Sequence, residues 1–188
     1  MNPRLAFASL ALLSILPLAA IAQEVVVGDT RVPCAEDPAC MNRLHPDIPA
    51  VAYADPGERI VFVGRDAFDM TLDPDGDHSP GAKPREGTGV VHALTGPVFI
   101  NGAEAGDVIA VTIEAMEPAG VGWTEASTFG FAGDQFGVNE RFIVWRINDR
   151  YAESDALPGV RIPNRSFPGV VTTLPGEDLL ADALAREQ

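Results

Sequence analysis

Basic residues are scarce in this 188-residue sequence. Lys and Arg together number 13 against 27 Asp and Glu, which gives a formal net charge of -14, and the only lysine is Lys83. A surface that binds nucleic acid needs clustered positive charge, because the release of counterions from the phosphates drives that binding. We therefore expect no nucleic-acid partner.

Long apolar runs are absent after the N-terminus. Residues 1–22 combine a short region containing Arg4, an apolar run from Leu5 to Ala20 and a small-x-small site that ends at Ala22. This pattern is typical of a cleaved signal peptide, with an uncleaved anchor as the alternative. No later segment approaches the roughly 20 apolar residues of a membrane span. The sequence predicts a periplasmic or secreted protein with one β-rich domain over residues 23–188.

Cysteine is also scarce, with Cys34 and Cys40 as the only two. An even number of cysteines at short spacing in an exported protein usually forms a disulfide. Metal ligation is the alternative, and His45 is the nearest histidine, but such a site would need more Cys or His nearby. We expect a Cys34–Cys40 disulfide.

Glycine and proline, in contrast, are frequent, with 18 and 16 residues, and the apolar runs between them are short. Short β-branched runs between turn residues are typical of strands. The sequence predicts a mainly β fold, a β-sandwich or a barrel-like arrangement with antiparallel or mixed sheets. The clearest strand predictions cover residues 24–27, 59–63, 97–100, 108–116 and 141–147.

One helix is predicted, over residues 177–186 at the C-terminus. Acidic residues lie at its start and Arg186 lies at its end, which suits the helix dipole. One face is apolar and carries Leu179, Leu180, Ala183 and Leu184. The fold is therefore expected to end in an amphipathic helix.

Candidate catalytic residues are isolated, because the sequence contains no nucleophile elbow, phosphate loop, dinucleotide fingerprint or paired-histidine zinc motif. Among the three histidines, His45 and His92 lie beside predicted turns or strand edges. Asp66 follows a predicted strand, a common position for catalytic groups. Each could instead cap the backbone of a turn, which Asp and His side chains often do.

Four segments resemble one enzyme family. They are NRLHPDIP at 42–49, RDAF at 65–68, VHALTGPVFINGAEAGDVI at 91–109 and GVRIPNRSFPG at 159–169. Together they look like the N-terminal half of the acetamidase/formamidase family, and the part from Thr-Gly-Pro to Gly-Asp is the most specific. Members of this family usually continue into a second β-rich half, so the chain resembles a truncated member.

The resemblance implies a hydrolase that converts short aliphatic amides to a carboxylate and ammonia. In this interpretation a base-activated or metal-bound water attacks the amide carbonyl, and a general acid protonates the departing ammonia. Asp66 is the first candidate for the base or metal ligand. His92 and then His45 are candidate proton carriers, and His92 is the second candidate ligand. In the metal-bound alternative the divalent ion would be zinc or calcium.

A different class of function is the alternative. The chain could be a non-catalytic exported β-sandwich, a binding or assembly module derived from the same half of the family. Without the second half, the chain is less expected to be catalytically active, which favours this alternative. A second copy or a complementing chain could still complete the site.

Overall fold

The computed structural model describes residues 24–80, 91–126 and 141–187. The predicted signal peptide, residues 1–22, lies outside these ranges. In the described residues the strands and the helix run in this order: β1 Val25–Val27, β2 Cys40–Met41, β3 Ala52–Ala54, β4 Ile60–Phe62, β5 Leu94–Thr95, β6 Val98–Ile100, β7 Val121–Ala126, β8 Arg141–Ile147, β9 Tyr151–Glu153, β10 Arg161–Pro163 and α1 Glu177–Arg186.

The largest sheet has four antiparallel strands in the order β10-β9-β8-β7. Strands β7 and β8 pair from Val121 opposite Arg146 to Ala126 opposite Arg141. On β8 the consecutive residues Val144 and Trp145 are both buried, and consecutive strand residues face opposite sides of a sheet. The prediction of 141–147 as a central strand covered on both faces is therefore confirmed.

Three two-stranded sheets make up the remaining β-structure of the described residues. Strands β1 and β4 are parallel, β3 and β6 are parallel, and β2 and β5 are antiparallel. The Thr95 hydroxyl on β5 donates to the Val63 carbonyl just after β4, at 2.8 Å, and so connects two of these sheets. Parallel and antiparallel sheets with one C-terminal helix confirm the predicted mainly β fold class.

The disulfide between Cys34 and Cys40 is formed, as predicted. Cys34 begins a short 3-10 turn, and Cys40 begins β2. The Gly96 amide next to β5 donates to the Ala39 carbonyl inside the disulfide loop, at 2.9 Å. The loop is thereby held against the antiparallel pair β2–β5.

Helix α1 has the predicted bounds, but none of its residues is buried. Leu179 is 57% exposed and Leu184 is 52% exposed. The amphipathic pattern therefore predicted the helix correctly, while its apolar face stays largely open in the described part of the chain. None of the helices in this part is long and apolar enough to cross a membrane.

The predicted strand over residues 108–116 is wrong. The structure assigns no strand there, and Val108 and Val111 are 97% and 64% exposed. The alternating pattern correctly indicates an amphipathic segment, but a strand also needs a neighbouring backbone to bond. Residues 108–119 form no backbone hydrogen bond with any other described residue.

The core of the described residues is small. No large side chain is completely buried. The buried apolar residues are Val27, Cys34, Ala39, Ala54, Ala93, Val121, Val144 and Trp145. Much of the apolar side-chain surface therefore remains in contact with solvent.

Candidate functional site

Asp66 lies in a tight turn that follows β4. Its Oδ1 accepts hydrogen bonds from the backbone amides of Phe68, at 2.9 Å, and Met70, at 3.2 Å. The Asp69 amide donates to the Asp66 carbonyl at 2.9 Å. One carboxylate oxygen therefore closes the turn, as the capping interpretation of this residue predicts.

The second carboxylate oxygen of Asp66 faces an aromatic cluster. Its Oδ2 accepts a hydrogen bond from Trp123 Nε1 at 2.7 Å. The Trp123 ring stacks on Phe142 with centroids 5.0 Å apart and contacts Phe68 at 5.6 Å. We call Phe68, Trp123 and Phe142 the aromatic wall. It places an apolar surface and an indole donor beside a carboxylate.

His92 lies beside the same turn. Its backbone amide donates to the carbonyl of Ala67 at 2.5 Å, and the Ala93 amide donates to the same carbonyl at 3.3 Å. The backbone of His92 has a φ of 61°, a left-handed conformation that few residues other than glycine adopt. Its imidazole is exposed and has no hydrogen-bond partner among the described residues. The structure thus brings Asp66 and His92 to one turn, through Ala67.

Arg65, the residue before Asp66, belongs to a buried ionic network that holds this turn in place. The Arg65 side chain is 1% exposed and forms ion pairs with Asp37 at 2.7 Å and Asp69 at 2.5 Å. Its guanidinium also donates to the Asp29 and Val32 carbonyls. Charged side chains this deeply buried are rare unless they are paired in this way. We call Arg65, Asp37 and Asp69 the buried ion network.

Electrostatics in the buried ion network favour the charged forms. Burial acts to raise the pKa of Asp37, but the hydrogen bond from Arg65 and those from two backbone amides outweigh it, so the pKa is lowered. Burial acts to lower the pKa of Arg65, and its two carboxylate partners outweigh it, so the pKa is raised. Asp69 Oδ2 also accepts a hydrogen bond from the Cys34 amide at 2.7 Å. The network therefore joins the Asp66 turn to the disulfide loop.

His45 lies at a different place, in a cleft of about 330 Å³ against α1. Its Nδ1 is 2.5 Å from Asp47 Oδ1, and Arg43 lies 3.3 Å from the same oxygen. The other residues that line the cleft are Pro46, Glu177, Leu180, Ala181 and Leu184. In the described ranges, no hydrogen bond or ion pair joins His45 to Asp66 or His92. The three predicted catalytic residues therefore form two groups.

The described residues do not by themselves make a metal site. Residues 24–80, 91–126 and 141–187 contain no group of three or more His, Cys, Asp or Glu side chains that could hold a metal ion. Zinc in proteins usually has three or four protein ligands, and calcium has six to eight oxygens. A metal at Asp66 and His92 would need further ligands from outside the described residues, so we derive no chemical step through a metal.

Three partners of the site were missed in the sequence. Trp123 donates to Asp66, a contact that no local sequence pattern indicates. Asp37 pairs with Arg65, and Asp47 pairs with His45. Only the pair at 45 and 47 had a usable signal, since a spacing of two residues across a proline keeps both side chains close.

Comparison with known proteins identifies related chains. The sequence model of the acetamidase/formamidase family matches residues 27–188. The acetamidase of Mycolicibacterium smegmatis is 31% identical over 162 residues, a match that covers 78% of this chain and 39% of the acetamidase. The formamidase of Methylophilus methylotrophus is 30% identical over 161 residues, which covers 79% of this chain and 37% of the formamidase.

A solved structure has the same fold. The gamma lactamase from Delftia acidovorans superposes with a TM-score of 0.66 at 24% identity, over 87% of this chain and 41% of the lactamase. This chain thus spans about two fifths of the length of the curated relatives that it matches. The family match covers nearly all described residues, including the turn with Asp66 and His92. The chain belongs to the acetamidase/formamidase family.

Proposed function

We propose that this chain takes part in the hydrolysis of short aliphatic amides, such as formamide or acetamide, to a carboxylate and ammonia. The observation that carries the proposal is the family match over residues 27–188, which includes both residues of the Asp66 turn that could act on a proton. Its named relatives are an acetamidase and a formamidase.

In the proposed reaction Asp66 is the general base. Its Oδ2 has one hydrogen bond, from Trp123, and a carboxylate oxygen can accept a second one from a water molecule. As the water attacks the amide carbon, a proton moves from the water to Oδ2, and the C–N bond breaks after the tetrahedral intermediate has formed. Asp66 then releases this proton to solvent, which restores the base. The Trp123 N–H holds the carboxylate in place during this step.

The two histidines are the proposed proton carriers. An imidazole nitrogen can donate a proton to the departing ammonia and then recover it from solvent. His92 is preferred because its backbone is fixed beside the Asp66 turn. His45 is the second candidate, and its pairing with Asp47 orients the ring so that Nε2 is the nitrogen left for proton transfer.

The aromatic wall supports a small substrate. Phe68 is 40% exposed, and its ring packs against Trp123. Trp123 in turn donates a hydrogen bond to Asp66, the proposed base. The aromatic wall could contact the methyl group of acetamide or the hydrogen of formamide, since sites for small molecules are lined mainly by apolar and aromatic side chains. A divalent ion, zinc or calcium, bound by Asp66 and His92 together with further ligands is part of the proposal as a variant mechanism. The signal-peptide pattern supports a periplasmic or secreted location.

A non-catalytic binding or assembly module is the second candidate function. Two observations favour it: the chain spans about two fifths of the relatives' length, and it exposes many large apolar side chains. Such a module would fold and bind a partner without turning over an amide.

Ammonia release separates the two candidates. The purified chain is incubated with formamide or acetamide, with and without a chelator, and the released ammonia is measured. We expect turnover in the wild type and a loss of about 10²-fold to 10⁴-fold in Asp66→Asn, which is the usual contribution of general-base catalysis. Asp75→Asn is the matched control, because Asp75 is an exposed loop aspartate.

Each result of this assay has a defined meaning. If Asp66→Asn releases ammonia at the wild-type rate, Asp66 is not the base. Folding without any turnover would favour the binding module. Turnover that a chelator abolishes and an added divalent ion restores would support the metal variant of the mechanism.

A further inference from the structure

The disulfide loop, residues 34–40, contacts the turn that carries the proposed base. The Cys34 amide donates to Asp69 Oδ2 at 2.7 Å. The Asp69 amide in turn donates to the Asp66 carbonyl at 2.9 Å, and this bond closes the turn. The position of the Asp66 backbone therefore depends on Asp69, which the first residue of the disulfide loop holds.

The other end of the disulfide loop contacts the segment that carries His92. Cys40 is opposite Thr95 in the antiparallel pair β2–β5, and the Gly96 amide donates to the Ala39 carbonyl at 2.9 Å. Strand β5 begins two residues after His92. The disulfide loop therefore joins the segment of the proposed base to the segment of the proposed proton carrier.

Each of these two segments contains a residue with an unusual backbone. Asp69 has a φ of 53° and His92 has a φ of 61°. Within residues 24–80, 91–126 and 141–187, they are the only residues other than glycine with a positive φ. A residue with a side chain keeps this conformation only where surrounding contacts hold it. If the disulfide loop loosens, both residues can return to a negative φ, which would move Asp66 and His92.

The disulfide matters more for this site than for the fold as a whole. Cys34 and Cys40 are only six positions apart, and a disulfide that closes a short loop removes little entropy from the unfolded chain. The largest sheet of the described residues, β10-β9-β8-β7, is built from residue 121 onward and so does not include the disulfide loop. Opening the disulfide should therefore leave this sheet folded while it weakens the contacts at Asp69 and β5.

We propose that the Cys34–Cys40 disulfide is a redox switch that positions Asp66 and His92, and that a dithiol reductant turns the site off. The inference rests on the proposed amide hydrolysis for its effect on the reaction rate, whereas its effect on the structure of the turn is independent of that reaction.

The exposure of the two cysteines indicates how the reductant acts. Cys34 is 8% exposed, whereas Cys40 is partly exposed. A thiolate of the dithiol attacks Cys40 Sγ, the S–S bond breaks, and its electron pair leaves on Cys34 Sγ. The second thiol of the reductant then displaces Cys40 from the mixed disulfide. Two electrons and two protons pass to the protein, which ends with two thiols, and the reductant ends as a disulfide.

Hydrogen exchange measured by mass spectrometry tests the switch without any substrate. The full chain is compared in its oxidised form, after reduction with dithiothreitol, and after reoxidation, and thiol labelling reports the state of the cysteines. On reduction we expect amides 67–70 and 92–95 to accelerate at least about 10-fold more than the amides of β7 and β8. Reoxidation should restore the slow exchange.

Ammonia release from acetamide gives the effect on the proposed reaction. We expect reduction to lower kcat at least about 10-fold, because a small displacement of reacting groups is costly. KM should change little, since Trp123 and Phe142 of the aromatic wall lie on β7 and β8, away from the disulfide loop. The variant Cys34→Ser/Cys40→Ser should have the low kcat with or without dithiothreitol, which shows that the reductant acts through the disulfide.

A matched control separates the switch from a general loss of stability. Val121→Ala removes part of a side chain on β7 that is 5% exposed, and it leaves the disulfide intact. We expect this variant to lower Tm by several degrees, as loss of a buried side chain does, while the oxidised protein keeps its kcat.

Three results would overturn the proposal. The first is equal acceleration of exchange in the turn and in β7 and β8 on reduction, since this pattern indicates only a general loss of stability. The second is an unchanged kcat in fully reduced protein. The third is a loss of kcat in Val121→Ala as large as the loss on reduction. If the oxidised protein releases no ammonia, the proposed hydrolysis is refuted, and the exchange comparison alone decides whether the disulfide controls the turn.

Discussion

Replacing Arg65 with methionine removes the cation of the buried ion network and keeps a side chain of similar length. The carboxylates of Asp37 and Asp69 are only 5% and 6% exposed, so the variant leaves two negative charges inside the protein without their partner. Removing one member of a buried ion pair typically costs about 3–5 kcal/mol. Small domains are stable by about 5–15 kcal/mol, so Arg65→Met should lose a large fraction of the folding free energy.

Urea denaturation followed by circular dichroism and tryptophan fluorescence measures this loss. The matched control is Arg146→Met, because Arg146 forms a two-bond ion pair with Asp155 in which the side chains are 40% and 54% exposed. An exposed pair contributes about 0–1 kcal/mol. A loss for Arg65→Met no larger than the loss for Arg146→Met would refute the structural role of the network.

The difference in unfolding free energy between wild type and Arg65→Met should depend on pH in a defined direction. The folded-state pKa of Asp37 is lowered below the value of about 3.9 for an unperturbed aspartate. Its contribution to stability is therefore complete above that value and is lost as the pH falls through the lowered folded-state pKa. The gap in unfolding free energy between wild type and Arg65→Met should be constant from about pH 6 to 8 and narrow below about pH 4. A gap that widens in acid would contradict this assignment.

Three further predictions concern the residues around the site. Cys34→Ser/Cys40→Ser should lose about 2 kcal/mol of unfolding free energy in urea, because the disulfide closes only a short loop; no loss would show that the loop is ordered without it. Gly28→Ala should lose about 2–3 kcal/mol, since its φ is +94° and an added Cβ would lie 2.7 Å from a methyl carbon on β5, whereas Gly64→Ala, with open space around it, should be nearly neutral; similar losses in both would contradict the close contact. Trp123→Phe keeps the aromatic stacking but removes the hydrogen bond to the proposed base, and should lower stability by about 1 kcal/mol and the rate of ammonia release by roughly tenfold; an unchanged rate would separate Trp123 from the site.

Features that depend on short stretches of sequence were predictable. The bounds of β8 and α1 followed from the spacing of apolar residues and the neighbouring turn or end residues. The disulfide followed from two cysteines at close spacing in a sequence with an export signal. The helix and the strand depend on residues that are close together in the sequence, and so does the spacing of the two cysteines.

Contacts between distant residues were not predictable from one sequence. Trp123 is 57 positions from Asp66, and Asp37 is 28 positions from Arg65. Their pairing depends on how the sheets pack, which apolar periodicity does not encode. The wrong strand prediction at 108–116 has the same cause. Its local pattern suits a strand, but a strand also needs a distant backbone partner, and the described residues include none.

The initial rate of ammonia release from acetamide, compared between wild type, Asp66→Asn and Asp75→Asn, tests the central claim most directly. The proposal predicts turnover in wild type and in Asp75→Asn, with a rate at least about 100-fold lower in Asp66→Asn. Equal rates in all three proteins would contradict the assignment of Asp66, and the absence of turnover in all three would contradict the proposal that this chain hydrolyses amides.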